Sequence, residues 1–131
     1  MKLVSRAPAR RSLRFPMQGL ELGVLKHDEV SIHLDIRPEL RQNQNVVHGG
    51  VIASLIDTAA AFAVVTRLEA DERVTTTDLT IHYLRPVTTG RLTATARVVR
   101  AGRRIFVLSV NVTNNMGVLV ATAVTSYIKL G

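Results

Sequence analysis

The segment from Gly50 to about Leu68 limits the possible folds of this chain more than any other stretch. It is rich in alanine and leucine, has no internal glycine or proline, and reads as a helix. Its apolar residues go nearly all round the helical wheel. Such a helix is buried on most sides, not laid on a surface. It carries one carboxylate, Asp57, in its middle, and His48-Gly49-Gly50 stands at its start. Both features ask for an explanation, because a buried charge is costly unless it is paired or used.

The surroundings are strand-like. Val30, Ile32, Leu34 and Ile36 alternate with Ser31, His33 and Asp35, the period of a half-buried strand. Leu20 to Leu25 reads as a strand before it, joined by the polar Lys26-His27-Asp28-Glu29. Arg37 to Val47 reads as a loop, with Pro38 and two asparagines. After the helix come Val74 to Tyr83, Leu92 to Val99, Ile105 to Val112 and Val118 to Ile128, separated by short turn sequences. Consecutive strands with short turns suggest antiparallel pairing of neighbours. The expected class is α+β, with one helix packed on a single sheet of about six strands. One helix cannot cover such a sheet, and the remaining edge and surface predict a dimer.

The chain has 131 residues, 47% of them hydrophobic, enough for one domain with a core. It has no cysteine, which removes disulfides and thiolate chemistry and fits a reducing cytoplasm. The formal net charge is +7, but Lys2, Arg6, Arg10, Arg11 and Arg14 all fall in the first twenty positions, which hold no acid. The expected organisation is a basic arm over residues 1–19 and one domain over 20–131. The arm reads as a solvated tail, with a short helical turn over Arg11 to Gln18 and the composition of a targeting presequence as the other reading. Only 4% of residues are aromatic, so stacking surfaces for single-stranded nucleic acid are poorly supplied. The apolar run is broken by Asp57, Thr58 and Thr66, unlike a membrane span. No histidines and carboxylates have metal-ligand spacing, so neither nucleic acid, membrane nor metal is expected as a partner.

Several motifs together resemble one family. Val47-His48-Gly49-Gly50 is followed by Asp57 nine positions after the histidine. Asp78-Leu79-Thr80-Ile81-His82-Tyr83-Leu84-Arg85-Pro86-Val87, Gly90 and Gly102-Arg103-Arg104 come later. Over roughly residues 20–128 the chain resembles the hot-dog-fold acyl-CoA thioesterases, and within them the phenylacetate-degradation type. The family's usual glycine three residues before the histidine is Asn45 here, the non-glycine residue that best tolerates positive φ. The resemblance implies a long central helix wrapped by a curved antiparallel sheet. It implies a homodimer or a dimer of dimers with interface sites, and hydrolysis of an acyl-CoA to free acid and CoA. No cofactor is implied, since coenzyme A belongs to the substrate.

Thioester hydrolysis needs an oxyanion donor, a base or nucleophile, and a place for the leaving group. A helix N-terminus offers unpaired N–H groups and partial positive charge, and glycine lets a carbonyl approach closely. Gly49 N–H is the candidate donor, with His48 and Gln42 holding or polarising the carbonyl. Asp57 is the candidate base or nucleophile, and the residues leave that choice open. Thr76 falls where the family often places a hydroxyl that holds water. By resemblance, Tyr83, Arg85, Arg100, Gly102, Arg103 and Arg104 would contact CoA. Alanines 59–61 could leave room for an aryl or medium-chain acyl group. Two other readings stay open: a hot-dog dehydratase or hydratase, and a non-catalytic acyl-CoA-binding module.

Geometry adds one requirement without the family. Gly49 and Asp57 are eight residues apart, about 12 Å along a helix. A carbonyl carbon must lie about 3 Å from both donor and attacking atom. One helix cannot supply both, so a single site built from them needs two copies of the chain.

Overall fold

The apolar segment is a single helix, α1, over Gly49–Val65, in a computed structural model that describes residues 3–5, 19–41 and 46–131. His48 is its N-cap, with extended backbone (φ −60°, ψ 135°), and His48 Nδ1 accepts a 3.0 Å bond from the Gly50 N–H. A Cβ on Gly50 would lie 3.1 Å from that nitrogen, so glycine lets the imidazole close on the helix end. Past Val65 the chain tightens. The N–H groups of Thr66, Arg67 and Leu68 reach back three residues to Ala63, Val64 and Val65. The expected end at Leu68 therefore falls in a tighter turn beyond the helix.

Seven strands form one antiparallel sheet: β1 Leu3–Ser5, β2 Leu20–Lys26, β3 Glu29–Asp35, β4 Arg73–Tyr83, β5 Arg91–Ala101, β6 Ile105–Thr113 and β7 Leu119–Lys129. Their order is β1-β4-β7-β6-β5-β3-β2. The six expected strands are all present, and the curved sheet wraps the helix as expected. β1 is an addition that lies inside the expected arm. It pairs with β4 only at Arg73, Val74 and Thr75. The helical turn expected over Arg11 to Gln18 lies outside the described residues.

One expectation of neighbour pairing fails. β4 and β5 are consecutive but not adjacent: β4 pairs with β7, and β5 with β3 and β6. The connection Leu84 to Gly90 is a crossover, not a hairpin. Leu84 and Arg85 N–H bond to Val120 O, Val47 N–H to Val87 O, and Ile36 N–H to Gly90 O. Those bonds lay the loop across the end of the sheet and deliver β5 to the far half, next to β3.

The helix rests mainly on β5, β3 and β6. Ala59, Ala60 and Ala63 face a sheet whose inward residues include Ala94 and Ala96, and all five are fully buried. Small side chains on both surfaces let helix and sheet approach closely. Ala59 and Ala60 are thus taken up by this contact, and alanines 59–61, where the sequence suggested room for an acyl group, line none of the clefts described below. Larger residues, Leu55, Ile56, Val64, Leu92 and Leu108, fill the flanks. The β2–β3 turn is tied to the far end of the helix. Asp28, at φ 71°, accepts from Arg67 Nε and Nη2 at 2.5 and 2.6 Å, and Thr66 Oγ1 accepts from the Asp28 N–H. The guanidinium holds the Asp28 carboxyl below the usual carboxylate range.

Candidate active site

Asp57 sits eight residues into the helix, half-buried, where the helix edge passes over β4 and β7. The residue beneath it is Tyr127 of β7. Its phenol is fully buried and donates to Asp57 Oδ1 at 3.1 Å, with a weaker 3.4 Å approach to the Asp57 carbonyl. Burial, and then the neighbouring carboxylate, push the phenol far above its ordinary pKa. It therefore stays protonated and remains a donor.

Thr76 reaches the same place from β4. The ladder pairs Thr76 with Tyr127, then slips at Thr77, and Asp78 pairs with Ser126. That bulge reverses which residues face inward: Val74 and Thr76 are buried before it, while Leu79 and Ile81 pack on the core after it. Bulges of this kind re-aim side chains beside functional sites. Thr76 Oγ1 is buried and closes no hydrogen bond of normal geometry, although its hydroxyl lies near enough to the phenol to favour its ionised form slightly. Asp57, Ser54, Thr76, Thr77 and Asp78 line one open cleft of about 440 Å³. Among the described residues, no lysine, arginine or histidine lines it.

The helix N-terminus forms a second cleft, of about 290 Å³, with Ile52, Tyr83, Leu84, Arg85 and Pro86 around Gly49. Tyr83 O–H donates to the Gly49 carbonyl at 2.9 Å, which ties the crossover to the first helical turn. Gly49 is the first helical residue, where an N–H has no intrahelical acceptor. Arg100, Gly102, Arg103 and Arg104 line a third cleft of about 380 Å³ at the β5–β6 turn, with Ile105 and Val107. In β6 it is Phe106 and Leu108 that face the core, so this third cleft lies on the outer face of the sheet, away from the helix.

The structure thus brings Asp57 together with Thr76, and Gly49 and His48 together with Tyr83 and Arg85. It keeps the first group at the middle of the helix and the second at its N-terminus, and the arginine turn apart from both. Gln42 and Asn45 lie outside the described residues. Tyr127 escaped the sequence reading. Alternation along β7 puts it inward with Ala121, Ala123 and Thr125, and a buried phenol needs a partner. Only the long-range packing reveals that the partner is Asp57.

A family model, the thioesterase superfamily, matches residues 44–121. The chain belongs to this superfamily. As a member it is a thioester hydrolase with the hot-dog fold, the first of the three readings the sequence left open. This thioesterase is 36% identical to the medium/long-chain acyl-CoA thioesterase YigI of Salmonella typhimurium, over 83% of its own length and 80% of the relative's. Among solved structures, it superposes on the Haemophilus influenzae thioesterase HI1161 with a TM-score of 0.81 and 26% identity, covering 86% of this chain and 79% of that one. The Escherichia coli PaaI protein of the phenylacetic acid degradation operon gives a TM-score of 0.80 and 25% identity, covering 86% and 80%. Among the described residues no group of His, Asp and Glu side chains is arranged to hold a metal ion, and no helix is long and apolar enough to cross a membrane.

Proposed function

We propose that this thioesterase hydrolyses an aryl or medium-chain acyl-CoA to the free acid and CoA, at sites each built from two copies of the chain. The observation that carries the reading is the shared cleft of Asp57 and the buried Thr76 hydroxyl, at the middle of a helix whose N-terminus offers the Gly49 N–H. The substrate class draws support from YigI, a medium/long-chain acyl-CoA thioesterase.

The thioester carbonyl oxygen accepts from Gly49 N–H at the N-terminus of one helix, with His48 and Gln42 orienting that end. Asp57 from the second copy faces the carbonyl carbon. A water held by Thr76 gives a proton to Asp57 and its oxygen attacks the carbon. The tetrahedral oxyanion is stabilised by the backbone donor, an effect of about 3–4 kcal/mol for a preorganised group. Collapse breaks the C–S bond, and the departing sulfur takes the proton back from Asp57. A buried hydroxyl without a protein partner favours this general-base route over attack by Asp57 itself. Tyr83 and Arg85 flank the CoA path at the helix end. Arg100, Gly102, Arg103 and Arg104 offer phosphates a basic cleft on the outer sheet face.

Release of free thiol from an acyl-CoA panel tests the proposal, with Asp57→Asn beside the wild type. Turnover by the wild type and a loss of at least ~100-fold in the variant are expected. Absence of turnover on every substrate, or a variant equal to wild type, would overturn it.

A further inference from the structure

The phenol of Tyr127, rising from the sheet, donates to the Asp57 carboxylate at 3.1 Å. Its surroundings leave it no freedom. Tyr127 is fully buried and pairs across the ladder with Thr76 on one side and Phe106 on the other. Phenylalanine would fill the same space, so packing alone does not account for the hydroxyl. Aspartate on a helix edge can swing about two side-chain torsions. A donor rising from a rigid strand removes that swing by holding one oxygen. A carboxylate has about four lone-pair sites, so this bond leaves it able to accept a proton from the cleft side. Among the described residues, the other carboxylate on the cleft is Asp78, which accepts from Ser126 Oγ at 3.1 Å.

We propose that Tyr127 is a positioning residue for the reaction: its O–H, donated to Asp57 Oδ1, fixes the carboxylate plane and favours the charged form that takes the proton from water. The inference rests on the reading of Asp57 as base. It assigns the sheet, not the helix alone, the task of aiming that group. A displacement of about 1 Å at a reacting group costs on the order of 100-fold in rate, so the bond has room to matter.

Tyr127→Phe tests it, in the full chain. The expected result is a kcat lower by about 10- to 100-fold with KM nearly unchanged. The acid limb of the pH–rate profile should move to higher pH, since the carboxylate loses a donor that favours its charged form. In an Asp57→Asn background the same substitution should cost nothing further, because the two groups act as a unit. A Tyr127→Phe enzyme with wild-type kcat and an unmoved acid limb would overturn the proposal, as would an equal loss in both backgrounds. An Asp57→Asn enzyme as active as wild type would instead sink the reading of Asp57 itself. Where Tyr127→Phe does not fold, 3-fluorotyrosine serves. The chain has two tyrosines, so labelling in a Tyr83→Phe background places it at position 127 alone. A more acidic phenol is a stronger donor, and the acid limb should move to lower pH relative to unlabelled Tyr83→Phe; an unmoved limb contradicts the proposal.

Discussion

Asp57 and Thr76 occupy one cleft, although one stands on the helix and the other on β4, the next element along the chain. A substitution at Thr76 separates the two ways the carboxylate could be used. Thr76→Val keeps the shape and removes the hydroxyl. If that hydroxyl holds the water, turnover falls by about 10- to 100-fold and no burst of CoA precedes it. A rapid burst of one CoA per site followed by slow turnover would instead show that Asp57 attacks carbon and that only the second step needs the water. Pre-steady-state thiol release separates the two. At this scale Asp57 was legible because a carboxylate inside an apolar helix stands out, and the HGG start gave its context. Thr76 could not be told from Thr75 and Thr77 by alternation, because the bulge at Thr77 breaks the parity. Tyr127 looked like any inward strand residue.

Elements place these residues, and the helix N-terminus has the plainest role. His48 has the extended backbone that precedes proline comfortably, and proline is favoured at the first helical position. A Cβ on Gly49 would meet the Tyr83 ring at an ordinary 3.5 Å. Gly49→Pro should therefore fold with a melting temperature close to wild type while deleting the candidate oxyanion donor. The expected loss in kcat is about 100- to 1000-fold. Full activity in a folded Gly49→Pro enzyme would remove Gly49 from the mechanism. The strands were legible from alternation, and the helix from its alanine and leucine content without internal glycine or proline. The adjacency of strands was not. Leu84 to Gly90 has the proline and glycine of a turn, and only its hydrogen bonds to Val47, Val120 and Ile36 show that it crosses the sheet end. The short pairing of Leu3–Ser5 with β4 carries no pattern that three residues could display.

At the scale of the whole molecule, the chain presents two half-sites on one helix, about 12 Å apart by helical rise. β1 covers β4 only as far as Thr75, and among the described residues no strand pairs with the rest of that edge. The proposal places a second copy there, with Asp57 of one facing Gly49 of the other. That expectation comes from the spacing of Gly49 and Asp57 alone, since rise per residue is fixed. No local pattern encodes how two copies would meet. In the proposed mechanism each site takes Gly49 from one copy and Asp57 from the other. Mixing the two inactive enzymes, Asp57→Asn and Gly49→Pro, with unfolding and joint refolding, tests it directly. Half of the reassembled dimers then carry both variants, and each has one intact site, so thiol release should recover to about a quarter of the wild-type rate. A mixture no more active than the average of the two variants alone would contradict the claim.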